Sequence, residues 1–461
     1  MKHAIHLDAS DAVTRICRHL NEAGGHAYLV GGCVRDMMLH RTPKDMDIEV
    51  YGLTEKEIGH ILGKLGHCET VGRSFGVIKC WMENLEVDVA LPRQEYKIAS
   101  GHRGFRVQTD PHLAPETASS RRDFTINAMM FDPISEILFD FHGGERDLDA
   151  GVLRHISPAF AEDPLRVLRA MQFAARFDLE LHPDTALLCQ QLLCEAGTLA
   201  VERIWQEWRK WAEGRYPSRG LTVLQQSGWL ELYPELTALI DCPQNPKWHP
   251  EGNVWTHTLQ VVDWAAEVAE HHDWHGQQRW LLVFSALTHD FGKPAVTITD
   301  DTGTIRSPNH AIEGVALARH FFSRIGAPAT LTRNIEPLIR EHLTHMHGQP
   351  TDRAVRRLAQ RLEPANIELW EALVEADASG RAPHPPSRPA LAWLQKAETL
   401  TSHRGTPPPL LTGKMLLELG MSPGPEMGEV LSAAYGAQLD GVFSDTEDAI
   451  RWYRQQKRHT E

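Results

Sequence analysis

Two aspartates, Asp45 and Asp47 in KDMDIEV (44–50), follow shortly after a Gly-Gly pair, Gly31-Gly32 in LVGGCVRDMML (29–39). On an extended segment residues i and i+2 share a face, so the two carboxylates are expected side by side. Neighbouring carboxylates repel unless a cation sits between them, and an all-oxygen site suits Mg²⁺ carrying substrate phosphates. The glycines remove side chains where a backbone must approach a ligand closely. Either element alone reads more plainly as an ordinary turn or an exposed edge strand. Together, with Asp88 in LEVDVAL (85–91) as a third carboxylate, they point to metal-dependent nucleotidyl transfer, in which two ions activate a hydroxyl and stabilise the leaving pyrophosphate. Gly413-Lys414 is followed by Met415, so no GxxxxGK[ST] loop is present to bind the phosphates.

Histidine is the compositional oddity, at 26 residues. Between 249 and 347 the chain reads HPEGNVWTHTLQ, LTHDFGK, PNHAIEG and EHLTHMH, with Asp377 beyond in EADASGR. The pair His289-Asp290 ends the apolar run LLVFSALTHD, where a buried charged pair needs partners. This pattern resembles the HD phosphohydrolase domain. The resemblance implies that His257, His289, Asp290 and Asp377 ligate one divalent metal, with His310 and His342 available for a second. Mixed nitrogen and oxygen ligands suit a borderline transition metal such as Ni²⁺ or Mn²⁺ better than Ca²⁺, and a metal-activated water there could attack a phosphate ester. His271, His272, His345 and His347 read as helix-surface residues, and a purely structural HD fold is the alternative.

The elements that must position these groups change character along the chain. Val13, Ile16 and Leu20 predict an opening amphipathic helix stopped at Gly24-Gly25, and short β-type runs follow at 27–30, 47–51, 75–81 and 85–91, mixed with a helical stretch at 54–65. After about residue 160 the strand signals stop and apolar residues recur at three and four. The expected fold class is α+β: a mixed-sheet palm, then an all-helical neck, body and tail. Pro and Gly cluster at 380–389 and 404–409 and mark linkers. The expected division is 1–155 head, 156–245 neck, 246–390 HD domain and 391–461 tail.

Composition narrows the function classes. The 461 residues give about three domains' worth of chain, which excludes a peptide-sized binding module. A net charge of -14 means that any nucleic acid must be held by a local basic surface or through cations. Arg353, Arg356, Arg357 and Arg361 form a helical stripe that suits phosphates, although such faces are usually just solvated. The seven cysteines lack a CxxC pair and read as reduced core thiols. Neither an apolar leader nor a run of about 18 apolar residues is visible, so a cytoplasmic protein with no membrane span is expected.

The Gly-Gly and Asp-x-Asp elements are followed in order by RRDFTINAMMFDP (121–133), GGERDL (143–148), EDPLRVLRAMQFAARF (162–177) and ERIWQEWRK (202–210). In this the chain resembles the class II tRNA nucleotidyltransferase and bacterial poly(A) polymerase family over almost its whole length. Arg122 can fork onto a triphosphate, Asp123 can accept from a ribose hydroxyl, and Asn127 lies one helical turn on; the bland alternative is a capped helix with surface arginines. Pro164 suits a helix start, and Asp163, Arg166 and Arg169 are spaced by three, which alone would suggest a surface salt-bridge ladder. The resemblance implies instead that Asp163 and Arg166 bond the Watson-Crick edge of the incoming base and select CTP, then ATP. The nucleotide-binding set so implied is Gly31, Gly32, Arg35, Arg122, Asp123, Asn127, Asp163, Arg166 and Arg169, with Asp45, Asp47 and Asp88 catalytic.

Within the family, VGRSFGVIKCW (71–81) looks like the CCA-adding version rather than the arginine-rich stretch of poly(A) polymerases. Segment 91–120 looks like the flexible loop of enzymes that complete CCA, although Thr117, Ala118, Ser119 and Ser120 stand where relatives often carry acidic residues. LTGKMLLELGMSPGPEMGEVL (411–431) matches in style the tail of CCA-adding enzymes with HD domains and reads as two short helices. The expected activity is template-independent addition of CCA to tRNA from CTP and ATP with Mg²⁺. The rivals are a poly(A) polymerase and an HD phosphodiesterase with a non-catalytic palm. Oligomeric state has no signature in the sequence.

Overall fold

Ser10 accepts from the Val13 amide and caps the helix Asp11–Glu22, which buries Val13, Ile16, Cys17 and Leu20. Its apolar stripe covers a sheet built from short runs of β-branched and apolar residues. The computed structural model describes residues 2–7, 9–71, 77–82, 85–97 and 105–460. Two compact units divide it: Met1–Trp211 with Arg219–Glu231, and Ala212–Ser218 with Leu232–Glu461.

The first unit holds β1 (Lys2–Ala4), β2 (His26–Val30), β3 (Met46–Tyr51), β4 (His67–Val71), β5 (Val77–Met82), β6 (Leu85–Ala90), a separate hairpin of β7 (Arg93–Lys97) and β8 (Phe105–Thr109), then β9 (Met130–Asp132) and β10 (Ile137–Phe139). The main sheet runs β1-β10-β9-β2-β3-β6-β5-β4. All its neighbours are antiparallel except β3 and β6, whose parallel register sets Asp47 opposite Asp88. The four strands expected from sequence are present, and β1, β4, β7, β8, β9 and β10 were not anticipated. Past residue 150 two-residue strands also occur, at 152–153 with 180–181 and at 298–299 with 305–306, so the later chain is helical but not exclusively so.

Gly144 shows why the GGERDL motif needs glycine, because a Cβ there would sit 2.3 Å from the Thr125 carbonyl oxygen. That approach lets Thr125 Oγ1 donate to buried Asp147 (2.9 Å), which also accepts from Arg154 Nε (3.0 Å). The helix Leu165–Phe177 follows, burying nine of its thirteen residues.

The second unit packs the helices Val254–His271, Gln277–Thr288, His310–Arg324, Ala329–Glu341, Asp352–Leu362 and Ile367–Ser379. Leu411, Leu416, Ala434, Phe443, Ala449 and Tyr453 form a satellite core that draws together the two expected helices (Gly413–Glu418 and Pro425–Leu439) and a last one, Thr446–Thr460. Arg353 and Arg357 of the arginine stripe are ion-paired to Asp440 (3.0 and 2.8 Å), and Arg361 to Glu341 (2.9 Å), so much of that stripe is committed within the protein. All seven cysteines are free, but Cys194 is exposed and Cys68 only half-buried, so five, not seven, are core thiols. Among the described residues no helix is long and apolar enough to cross a membrane.

Candidate functional site

In the first unit Asp45 lies in the bend before β3 and is exposed, while Asp47 is half-buried within the strand. The pair therefore straddles the strand's start instead of sitting on one regular strand face. Asp88 stands opposite Asp47 on β6, and β5 brings Lys79 across from Asp88, with Nζ 3.2 Å from Oδ1. Burial pushes the Asp47 carboxyl above its ordinary range; Arg122 and Lys79 pull it down, but Asp88 and Asp45 repel its charge and the net shift is upward. That excess of negative charge fits a divalent cation, although the three carboxylates are not drawn into one tight ligand cluster among the described residues.

Gly31 caps the helix Gly32–Met38 at φ 75°, a conformation glycine adopts readily. A Cβ there would lie 2.5 Å from Arg122 Nη1, so Arg122 packs directly over the turn. Its other neighbours are the Asn127 carbonyl (3.4 Å) and Glu49 (3.9 Å). Gly32 is looser, with Arg35 Nη2 3.5 Å from where a Cβ would stand.

Four of the expected nucleotide-binding residues engage one another. Arg35 is 4 % exposed; its Nη1 donates to Asn127 Oδ1 (2.5 Å), its Nε and Nη2 donate to Asp36, and its guanidinium lies 4.2 Å from the Phe177 ring centroid. Asn127 Nδ2 donates to Asp123 Oδ1 (3.0 Å), and Asp123 Oδ2 accepts from Arg169 Nε (2.7 Å) and Nη2 (2.6 Å). Burial pushes Asp123 up, but Arg169 and Asn127 outweigh it and hold the carboxyl below its usual range. This chain of bonds joins the Gly-Gly helix, the RRDFTIN turn and the helix Leu165–Phe177.

Asp163 precedes that helix. Its Oδ1 accepts from the Leu165 amide (3.0 Å) and its Oδ2 from Arg203 Nη2 (2.9 Å). Arg166 donates instead to the carbonyls of Ala159 (2.8 Å) and Arg121 (2.9 Å). Asp163, Arg166 and Arg169 thus bond different partners: Arg203, two backbone carbonyls and Asp123. Arg203 was missed as a site residue although it lies in the quoted ERIWQEWRK motif; sequence spacing cannot pair residues 40 positions apart. Residues 72–76 of VGRSFGVIKCW and 98–104 of the loop at 91–120 lie outside the described residues.

In the second unit five helices converge their ends and faces on one centre. His257 comes from Val254–His271, Asp377 from Ile367–Ser379, and His310 opens His310–Arg324; His289 and His342 each cap a helix C-terminus. The Nδ1 atoms of His257, His289, His310 and His342 face the carbonyls of Gly380, Ala286, Ser307 and Ile339 at 2.6–3.1 Å. This leaves the Nε2 atoms facing inward, the usual second-sphere arrangement for metal-binding imidazoles. His257 Nε2 is 3.1 Å from Asp377 Oδ1, and Asp290 lies 3.3 Å from both His289 and His310. Three ligand groupings result: His257-His289-Asp377 and Asp290-His310-His342, all buried, and His249-Glu251-His257, in which only His257 is fully buried. His289 Nε2 is buried with no polar contact but Asp290 at 3.3 Å, as suits a ligand nitrogen, so the donor set fits a divalent metal.

Lys293 Nζ on Asp290 (2.6 Å) and Arg381 on Asp377 (2.7 Å) were not anticipated. Their i+3 and i+4 offsets were the available signal. Burial opposes ionisation of Asp290 and Asp377, but His289 with Lys293 and Arg381 with His257 hold both well below the carboxylate range. Burial and the neighbouring imidazoles push His342 down to about 3, so it is a neutral donor.

The family model described as the Poly A polymerase head domain matches residues 27–154, and that of the HD domain matches 254–376. A multifunctional CCA protein of Xanthomonas campestris pv. campestris (strain B100) is 36% identical over 418 residues, 88% of this chain and 96% of the relative. One of Acidovorax sp. (strain JS42) is 35% identical over 427 residues, covering 88% and 94%. Among solved structures, the Bacillus stearothermophilus CCA-adding enzyme in complex with CTP superposes with a TM-score of 0.67 at 20% identity, covering 98% of this chain and 99% of that one. The Thermotoga maritima CCA-adding enzyme complexed with tRNA gives 0.59 at 19%, covering 97% and 96%. With the head motifs in order, an HD centre behind them and relatives of this identity over nearly their full length, the chain belongs to the multifunctional CCA proteins, class II tRNA nucleotidyltransferases that carry an HD phosphohydrolase domain.

Proposed function

We propose that the chain builds or repairs the 3′ CCA end of tRNA in the cytoplasm from CTP and ATP, with Asp45, Asp47 and Asp88 holding Mg²⁺. The observation that carries this is the Asp47–Asp88 register beside Asp45, which crowds negative charge on two neighbouring interior strands of the sheet. Bound there, Mg²⁺ supplies positive charge to the triphosphate and acidifies the tRNA 3′ hydroxyl. Arg122, over the glycine turn, binds the triphosphate. Arg35, Asn127 and Arg169 fix Asp123, which accepts from the ribose. Asp163 accepts from the exocyclic amine common to cytosine and adenine, and Arg166 donates to ring acceptors, so uracil and guanine, which present a carbonyl there, are refused. The domains follow as 1–155 head, 156–245 neck, 246–390 HD domain and 391–461 tail.

The HD ligands His257, His289, Asp290 and Asp377, with His310 and His342, suit a transition metal such as Ni²⁺ or Mn²⁺ through their mixed nitrogen and oxygen donors. Bound there, it supplies Lewis acidity toward a phosphate ester, and Lys293 and Arg381 hold the ester's charge. The test is extension of tRNA transcripts ending before CCA, at C and at CC, with each labelled NTP supplied singly. Growth that stops at CCA, and is lost in Asp45→Ala and Asp47→Ala while tRNA binding persists, is expected. Continued adenylation, or substantial Mg²⁺-dependent addition by either variant, refutes the assignment.

A further inference from the structure

Strands β4 and β5 pair antiparallel, and their register sets Cys68 directly opposite Cys80. Opposed residues of such a pair have Cα atoms about 4.5–5.5 Å apart, within the span of about 4.4–6.8 Å that a disulfide bridges. The two strands press together where β4 begins: a Cβ on Gly66 would lie 2.3 Å from the Trp81 carbonyl oxygen. Both thiols leave the sheet on one face, and Cys68 Sγ donates to Cys80 Sγ at 3.1 Å. Small rotations about the two Cα–Cβ bonds close that contact to the roughly 2.05 Å of a covalent bond. Among the described residues this is the one bond between cysteine sulfurs.

The two thiols are unequal. Cys80 is buried and Cys68 half-buried, on the last strand of the main sheet. Burial, then the bond to Cys68 and its charge, push the Cys80 thiol up to about 12, so Cys80 alone is inert toward a reagent in solution. We infer that Cys68 and Cys80 are a redox pair, which exchange with a small-molecule disulfide such as oxidised glutathione closes into a reversible cross-strand bond. The Cys68 thiolate attacks one sulfur of the small disulfide, whose S–S bond breaks; the departing thiolate takes up the proton that Cys68 lost. Cys80 then releases its proton and attacks the Cys68 sulfur, expelling the second small thiol. The protein loses two hydrogens and two electrons, and the small disulfide is reduced to two thiols. The second step joins sulfurs already in contact, which offsets the reluctance of Cys80 to ionise. The bond pins the edge strand β4 to β5, and Lys79, the next residue along β5, points to the other face and meets Asp88 there.

The test incubates the reduced, folded full chain with oxidised glutathione, alkylates the remaining thiols and maps the cysteine peptides by mass. The expected product links the Cys68 and Cys80 peptides with the loss of two hydrogens, and dithiothreitol restores both thiols. Cys194 is exposed and is the internal control: with no partner sulfur it is expected to stop at the glutathione adduct. C80S is expected to trap that same adduct on Cys68, and C68S to leave Cys80 unmodified. Hydrogen exchange at the amides of His67–Thr70 is expected to slow in the oxidised protein, because edge strands open first. Cys68 that stays a glutathione adduct in the unsubstituted protein, or stays unmodified while Cys194 reacts, overturns the pair. So does a Cys68–Cys80 link that forms only after denaturation. Equal modification of Cys80 in C68S overturns the order of attack, and unchanged exchange overturns the pinning. Matched melting curves confirm that the variants are folded.

Discussion

The buried pair Asp123–Arg169 is predicted to fail asymmetrically when its partners are removed one at a time. The Asp123 side chain is 8 % exposed and that of Arg169 34 %. Arg169→Met leaves a carboxylate in the interior with only the Phe124 amide and Asn127 as donors, so the full cost of an orphaned buried charge, about 3–5 kcal/mol, is expected. Asp123→Asn leaves a guanidinium whose outer edge already meets water, so screening reduces its cost to about 1–2 kcal/mol. For a unit of roughly 220 residues, at about 2–4 °C per kcal/mol, this is a fall in melting temperature of roughly 6–20 °C against about 2–8 °C. The folded Asp123 carboxyl is held below its ordinary value of 3.8, so the stability it contributes is fully present above that value and is lost as pH falls through the folded pKa. In Arg169→Met burial raises the carboxyl against only Asn127 and Arg166, and protonation then relieves the penalty. The gap between this variant and the unsubstituted protein must therefore narrow on acidification. Melting curves from pH 7 down to pH 4 check this. A larger loss in Asp123→Asn than in Arg169→Met, or a gap that widens toward acid, refutes the reasoning.

Gly31→Ala places a methyl at φ 75° and 2.5 Å from Arg122 Nη1; about 1–2 kcal/mol of strain and a raised KM for nucleotides are expected, read by melting and by CTP titration. Arg203→Ala frees Asp163 Oδ2, so nucleotide discrimination is expected to loosen several-fold with addition itself retained, measured with the four NTPs on tRNA lacking CCA. Asp163→Ala is expected to raise UTP and GTP use relative to CTP and ATP in the same assay. Mn²⁺ or Ni²⁺ is expected to raise the melting temperature of the second unit, with His289→Ala blunting that shift while CCA addition continues; an undiminished shift would place the metal elsewhere.

The strands legible in advance were those whose apolar alternation is dense. DIEVY and LEVDVAL announce β3 and β6, and their register follows only once folding sets Asp47 against Asp88. The outer strands were opaque for a physical reason. Lys2–Ala4 is exposed throughout, and β9 and β10 are three residues each, too short for a period of two to show. The residues proposed to ligate the HD metal were legible because the His289-Asp290 pair ends a dense apolar run and the other histidines recur close by, whereas Lys293 and Arg381 looked like ordinary helical charges until their carboxylate partners were seen buried.

Asp163 and Arg166, the pair proposed to select the base, show where reading by spacing misleads. Residues 163, 166 and 169 would share a face of a continuous helix, yet the helix begins only at Leu165, after Pro164, so Asp163 is not in register with the other two. That offset frees its carboxylate from Arg166 and delivers it to Arg203 on the helix Val201–Ala212. Arg166 is in turn held by two backbone carbonyls, those of Ala159 and Arg121, whose positions do not depend on side-chain identity. In the proposed selection, Asp163 thus rests on a side-chain partner and Arg166 on backbone carbonyls. Arg203→Ala should therefore loosen discrimination at the exocyclic amine more than at the ring acceptors. In competition on tRNA lacking CCA, UTP should gain on CTP, while analogues altered only at the cytosine ring nitrogen should keep their standing; equal gains for both would place Arg166, not Arg203, in control of the edge.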